Sequence, residues 1–363
     1  MLQSLNHRCA LKKTRQWKAI RRLRRLEARS ARASNAKRRL AIIESHRSRD
    51  HEELNSVAKD ELVAPQKFSL KDDDQHRRLI DFLQRLRVAV GSGGPVRVDF
   101  RKTEMMYSDG TLLFFSELSR LKEMFPQVHL SCIPSKINRV NQVLQHLGIF
   151  GLFGYESAVV PSRPDVVAWR TISSAVYDSD AVGELIEKYG SLKDRSWYLF
   201  RSATEAMGNA VRHAYLEDRR DGLPEPTSKK WWMFVREAEG ELTVALCDLG
   251  IGIPRSLPIK YPTELIHTAL ATVAGVLRAS TRVGKVDANM ILAAMEINRT
   301  RTGVAGRGKG LTDLRRIVDE VAGGSLVLIS NRGRIIYSNG VFSKRGFERS
   351  IKGTLVHWTI PLS

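Results

Sequence analysis

Three short stretches hold residue types and spacings that could do chemistry. In "WYLFRSATEAMGNAVRHAYLED" Glu205, Asn209 and His213 recur every four residues, so a helix would align a carboxylate, a carboxamide and an imidazole on one face. In "CDLGIGIP" Asp248 ends the strand-like "ELTVAL" and is followed by Gly250 and Gly252, a pattern that suits a backbone turning sharply and approaching something closely. In "GVAGRGKGLTDLRRIVDEV" Gly306, Gly308, Lys309 and Gly310 open a helix, so main-chain amides and a helix N-terminus would face an anion such as phosphate. This last stretch fits neither the Walker A pattern nor GxGxxG. The spacing of Glu205, Asn209 and His213 also suits a plain polar outer face. His213 is expected to pack beneath its helix or orient a neighbour, and is not assigned to catalysis.

These stretches need elements to position them. The chain has 363 residues, enough for two or three domains, and its apolar fraction of 42% is ordinary for a globular protein with a sizeable core. After "ELVAPQKFSLKDDD" helical and strand patterns alternate. Residues 75–90 are helical, "GSGGPVRVDF" turns into a strand, "SDGTLLFFSELSRLKEMF" is helical, "QVHLSCI" is a strand and "INRVNQVLQHLGI" is a helix, which together read as a small α/β layer domain. Residues 156–194 read as a connector with one helix, "DAVGELIEKYG". From residue 195 the helix carrying Glu205 is followed by the strands "WWMFVRE" and "ELTVALCDLG", two helical stretches and a final strand, "GTLVHWTIP". The interval from Pro254 to Gly306 is far longer than an ordinary loop, so residues 255–305 are expected to form an ordered, mobile lid with helices in "PTELIHTALATVAGVL" and "DANMILAAMEIN".

The order of these pieces resembles the GHKL ATPase superfamily, which includes gyrase, the ninety-kilodalton heat-shock chaperone, histidine kinases and mismatch-repair ATPases. The resemblance covers about residues 195–363, and "EAMGNAVRHAY" is most similar to the anti-sigma-factor serine kinases. It implies a C-terminal two-layer α/β sandwich of the Bergerat type that binds ATP and Mg2+. Asp248 would accept a hydrogen bond from the adenine amino group, with Gly250 and Gly252 passing close to the base and beginning the lid. Asn209 would ligate Mg2+, a hard cation that prefers oxygen. Gly306, Gly308 and Gly310 would wrap the phosphates, Lys309 would add charge, and Thr354 would support Asp248. Glu205 would act as general base, on water in the hydrolysing branches or on a hydroxyl in the serine-kinase branch.

A weaker resemblance covers residues 66–155, where "VRVDF", "YSDGTLLFFSEL" and "VLQHLGI" are similar to the STAS domain of bacterial anti-sigma-factor antagonists. In that family the second serine of an Asp-Ser-Ser-Gly loop is phosphorylated. Tyr107, Ser108, Asp109 and Gly110 stand there in this chain, so the acceptor position is an aspartate. Ser108 and Asp109 are expected to cap a helix beginning near Thr111, and no chemistry is assigned to them.

The formal net charge of +20 is concentrated at one end, because residues 1–50 hold 16 Lys and Arg against three acids. Trp17, Ile20, Leu23 and Leu26 fall at helical intervals among arginines, so residues 1–60 read as a basic helical or disordered arm. Such an arm could neutralise nucleic-acid phosphates, lie on an anionic surface or act as a transit peptide. Cys9, Cys132 and Cys247 are far apart and form no CxxC motif, which points to a reducing, cytoplasmic setting. No apolar run reaches the roughly 18–20 residues of a membrane span, and no secretory leader is expected. The region before residue 195 reads α/β, not as a helical hairpin with a phosphoacceptor histidine, which argues against a two-component sensor kinase. The leading expectation is a cytoplasmic regulatory protein whose STAS-like domain is fused to an ATP-binding domain, used for slow hydrolysis or for serine phosphorylation of a protein partner. The alternatives are a nucleic-acid-associated ATPase switch that uses the arm, and a module that binds ATP without turning it over. The partner and the oligomeric state, a homodimer included, stay open at the level of sequence.

Overall fold

The computed structural model describes residues 61–188, 195–225, 228–276, 283–300 and 313–362. The basic arm and the glycine-rich stretch with Gly306, Gly308, Lys309 and Gly310 lie outside the described residues. The N-terminal half of the described chain contains β1 (Leu62–Val63), β2 (Lys67–Phe68), α1 (Asp73–Gly91), β3 (Val96–Asp99), β4 (Met105–Met106), α2 (Ser108–Met124), β5 (Leu130–Ile133), α3 (Asn138–His146) and α4 (Ile149–Leu152). Next come α5 (Pro164–Val167), β6 (Trp169–Ser174), α6 (Ser179–Glu187), α7 (Ser196–His213), β7 (Trp231–Ala238) and β8 (Glu241–Asp248). The chain continues with α8 (Ile253–Lys260), α9 (Thr263–Val276), α10 (Val283–Thr300), α11 (Arg316–Asp319), β9 (Ser325–Ser330), β10 (Gly333–Ser338), β11 (Val341–Gly346) and β12 (Thr354–Pro361).

The architecture is mixed α/β, built on a seven-stranded sheet of order β11-β10-β9-β12-β8-β7-β6 in which every neighbouring pair is antiparallel. Strands β1, β3 and β5 form a separate parallel sheet. An antiparallel sheet with one wet face alternates apolar and polar residues, whereas β7 and β8 read almost continuously apolar as "WWMFV" and "LTVALC". Both faces are in fact buried. Trp231, Met233, Val235, Val244 and Leu246 join the core on one face, and Trp232, Phe234, Ala245 and Cys247 join the core on the other.

The first of these faces, here the inner face, packs against α7, and its core also takes in residues of α8 and α10. Helix α2 lies across the outer face against β7, β8 and β12, with the Phe115 and Phe234 rings 5.6 Å apart between centroids. The sheet is thus covered on both faces, and residues 61–153 supply the layer on the outer one. Residues 169–174, inside the expected connector, form the edge strand β6. Of the expected lid, α10 is a core element: Ala288, Ile291 and Ala293 are fully buried and the helix packs on β10 and β11.

An ionic cluster is buried where the outer layer meets the rest of the chain. The Glu117 carboxylate of α2, with no exposure, receives both Nη atoms of Arg219 at 2.9 and 2.7 Å and lies 3.1 Å from Arg120 and 3.2 Å from Arg87. Asp221 pairs with Arg120 at 2.7 Å and with Arg219 at 3.0 Å. Arg219 and Asp221 belong to the loop that follows α7, so this loop is bolted to the outer layer. The three arginines hold the Glu117 carboxyl well below the usual carboxylate range although burial opposes that shift.

Helix α2 begins at Ser108, three residues before the expected start, and neither Ser108 nor Asp109 serves as its N-cap, a position held by Tyr107 without a side-chain bond. Asp109 instead accepts from the backbone N–H of Leu70 at 3.0 Å and of Gly110 at 2.7 Å, tying β2's exit to the helix. Ser108 Oγ hydrogen-bonds His357 Nε2 of β12 at 2.8 Å. Tertiary partners displaced the local caps because the helix N-terminus is itself packed against the sheet.

Candidate functional site

Helix α7 has good helix formers and a buried stripe of Leu199, Ala203, Ala206, Met207 and Ala210, which seats it on the sheet. That seating turns Asn209 and His213 toward the end of β8. Asp248 is the last residue of β8 and stands opposite Thr354, the first of β12, in antiparallel register. These residues, from segments far apart in sequence, line one cavity together with Gly252, Ser256 and Lys260 of the segment after β8. Apolar walls come from Leu246, Leu257, Leu328 and Val356. The cavity is therefore a largely apolar slot with an acid at its inner end, a form suited to a flat, partly polar small molecule.

Asp248 is only 5% exposed. Its Oδ1 accepts from Gly250 N–H at 3.0 Å, and Thr354 supports it through both backbone and side chain. Thr354 Oγ1 is in turn 3.1 Å from Ser330 Oγ, and that hydroxyl accepts from Ile253 N–H at 2.8 Å. Burial pushes the Asp248 carboxyl up to about 6, against the hydrogen bonds from Gly250 and Thr354 that pull it down. An acceptor held this way is pre-aimed for a donor on a ligand.

Glu205, one helical turn before Asn209, is not among the residues lining the cavity but touches one that is: Asn209 Nδ2 donates to Glu205 Oε1 at 3.1 Å, which leaves the Asn209 carboxamide oxygen for a hard cation. Glu205 is partly buried, and desolvation raises its carboxyl above the usual range while Arg212, 3.9 Å away, pulls it down. A carboxylate raised in this way is suited to take up a proton. His213 Nε2 lies 2.8 Å from Lys260 Nζ, and burial together with the charges of Lys260 and Arg212 lowers the imidazole to about 4. His213 thus orients a neighbour, one of its two expected roles, and it also lines the cavity.

The two glycines after Asp248 divide their tasks. Gly250 does not line the cavity: a Cβ there would stand 2.0 Å from the Ala214 carbonyl oxygen, because the turn runs directly under the end of α7 and Ile251 N–H donates to that same oxygen at 2.7 Å. The missing Cβ at Gly250 is what lets the turn pass under the helix end. Gly252 does line the cavity and has φ +76, a left-handed conformation that L side chains seldom adopt.

The chain re-enters the described structure at Asp313, just after the glycine-rich stretch. Arg201 donates to the Asp313 carboxylate at 2.9 Å and Ser202 to its carbonyl at 2.8 Å, so this point is fixed to α7. Sequence reasoning missed Lys260, Ser256 and Ser330. Lys260 ends a short helix containing Pro258 and had no periodicity to mark it, while Ser330 sits at the end of a strand whose role shows only when β9 is seen beside β12. Among the described residues no helix is long and apolar enough to cross a membrane. No protein-family model matches the chain, and no curated protein matches it in sequence.

Proposed function

We propose that residues 195–363 bind Mg-ATP in the manner of the GHKL ATPases. The observation that supports this reading best is the convergence on one cavity of Asn209, Asp248, Gly252 and Thr354, which the resemblance assigns to a single nucleotide. The adenine would enter the apolar slot and give its amino hydrogen to Asp248. The triphosphate would point to the end with Asn209 and Glu205. Mg2+, when bound, would neutralise phosphate charge, with the Asn209 oxygen as its protein ligand. Glu205 would receive the proton of the attacking hydroxyl, either from water or from a serine of a protein partner.

Ser108 is a poor candidate for that serine within one chain. Along β12, Thr354 and Val356 face the cavity, whereas Leu355 belongs to the outer core and His357, which holds Ser108, shares its parity. The sheet stands between Ser108 and the cavity.

Titration calorimetry with Mg-ATP and a phosphate-release assay test the proposal. Wild type is expected to bind ATP, and Glu205→Ala to bind it while losing turnover by about a hundred- to ten-thousandfold. Absence of ATP binding by the wild-type protein overturns the reading. ATP affinity is also expected to fall below pH about 6, where Asp248 takes up a proton and stops accepting from the adenine amino group, and to level off above it. Affinity that is flat from pH 5 to 8 would show that the carboxylate is not the base contact.

A further inference from the structure

The polarity of the cavity runs in one direction. Asp248 and Thr354 are buried at one end, and Lys260, the last residue of α8, is exposed at the other. Neighbouring cations are engaged with carboxylates: Arg201 with Asp313, Arg255 with Glu217, and Arg212 near Glu205. Among the described residues, no carboxylate lies within ion-pair distance of Lys260; its ammonium instead points at His213 Nε2, 2.8 Å away. Because a lysine ammonium is only a donor, the imidazole nitrogen must be the acceptor, which makes His213 neutral with its proton on Nδ1. The low imidazole value, about 4, keeps it so at neutral pH.

The neutral imidazole and the Tyr261 ring, whose centroid is 5.2 Å from the ammonium, fix the lysine at the cavity rim without placing an anion in contact with it. We infer that Lys260 is the residue through which this cavity selects a phosphorylated nucleotide over the bare nucleoside, by charge-assisted hydrogen bonds to ligand phosphate oxygens. The inference rests on the nucleotide reading of the cavity and adds a contact that the three sequence motifs do not contain. Of the ammonium's three donors, one is held by His213, and two are left for an anion. The imidazole holds the ammonium in place, so less rotamer freedom is lost when phosphate arrives. His213 is the positioning residue and Lys260 the contact.

The test compares the affinities of Mg-ATP and adenosine for wild type, Lys260→Met and Lys260→Arg. Wild type is expected to bind ATP more tightly than adenosine. In Lys260→Met the ATP affinity should fall about tenfold with adenosine affinity unchanged, and Lys260→Arg should restore most of the difference. Unchanged adenosine binding also shows that the variant keeps its fold. An ATP-to-adenosine ratio in Lys260→Met equal to that of wild type overturns the role of Lys260 while leaving the nucleotide reading in place. A wild-type protein that binds neither ligand overturns both.

Discussion

Asp248→Asn is expected to lower ATP affinity by about a hundredfold or more without weakening the fold. The substitution keeps the size of the side chain but puts an amide N–H₂ where a carboxylate oxygen stood. If that group faces the adenine amino group, two donors meet in a buried slot; if it faces Thr354, it opposes the donors that now support Asp248. Either way a buried polar group loses its partner, at a cost of about 1–3 kcal/mol, and the ligand loses its own bond as well. Stability responds differently. A carboxyl held at about 6 binds its proton more tightly in the folded chain than in the unfolded one, so its contribution to stability declines as pH rises from about 4 to about 6. Asparagine removes that ionisation, a relief of up to about 3 kcal/mol above pH 6 that opposes the lost bond to Thr354. The expected result is a melting midpoint within about 5 °C of wild type alongside lost binding. Calorimetry paired with thermal denaturation checks both, and a variant that still binds ATP at wild-type affinity would remove Asp248 from the base contact.

Glu117→Ala is expected to destabilise the protein by about 3–5 kcal/mol, a large share of the 5–15 kcal/mol typical of a folded domain. The carboxylate is the hub of Arg87, Arg120 and Arg219, and without it the three buried guanidinium groups share, among the described residues, a single carboxylate, Asp221, beside the Lys352 carbonyl that accepts from Arg219 Nε. Two groups are already short of partners: Arg120 Nε and Nη2 are buried without a hydrogen bond. Glu117→Gln keeps the shape and one acceptor but loses the charge, and should fall between Ala and wild type. Denaturant unfolding followed by both near-ultraviolet circular dichroism and tryptophan fluorescence is the measurement. A single transition moved to lower denaturant is expected, because the outer layer and the sheet share one core. If the outer layer melted early and left an unshifted second transition, the cluster would not join the two.

Much of this arrangement was legible in the sequence, and the limits have physical causes. Helix α7 and strand β8 were readable because a buried apolar stripe and a glycine-punctuated strand end are local signals, and the resemblance gave Asp248 and Thr354 their pairing. The structure sets those two opposite each other in register. The meander of β9, β10 and β11 and the edge strand β6 were not read, since "WRTISS" has one fully buried residue, Trp169, and its strand state comes from pairing with β7. The burial of the sheet's outer face was present in "WWMFV" as an absence of alternation, but what covers that face is a long-range fact. The caps assigned to Ser108 and Asp109 failed for the same reason: both side chains found partners outside the helix, in His357 and Leu70. Lys260 was invisible because nothing in "PIKYP" says that its ammonium meets the end of a helix 47 residues earlier.

Among the described residues the seven-stranded sheet ends at β6 and β11, and an unpaired border is where a foreign strand can add and start an aggregate. Both borders are guarded by cations. On β6 the Arg170 guanidinium folds back onto the Trp169 carbonyl, which His146 Nε2 also contacts, so that border offers one acceptor fewer to an incoming chain. On β11 Lys344 is tethered to the neutral Asn289 and keeps its charge, while Arg345 pairs with Asp73, so a strand approaching edge to edge meets charged side chains at that border. A sheet this apolar in its middle strands would make an efficient template if its rims were neutral. The charged rims keep it finite.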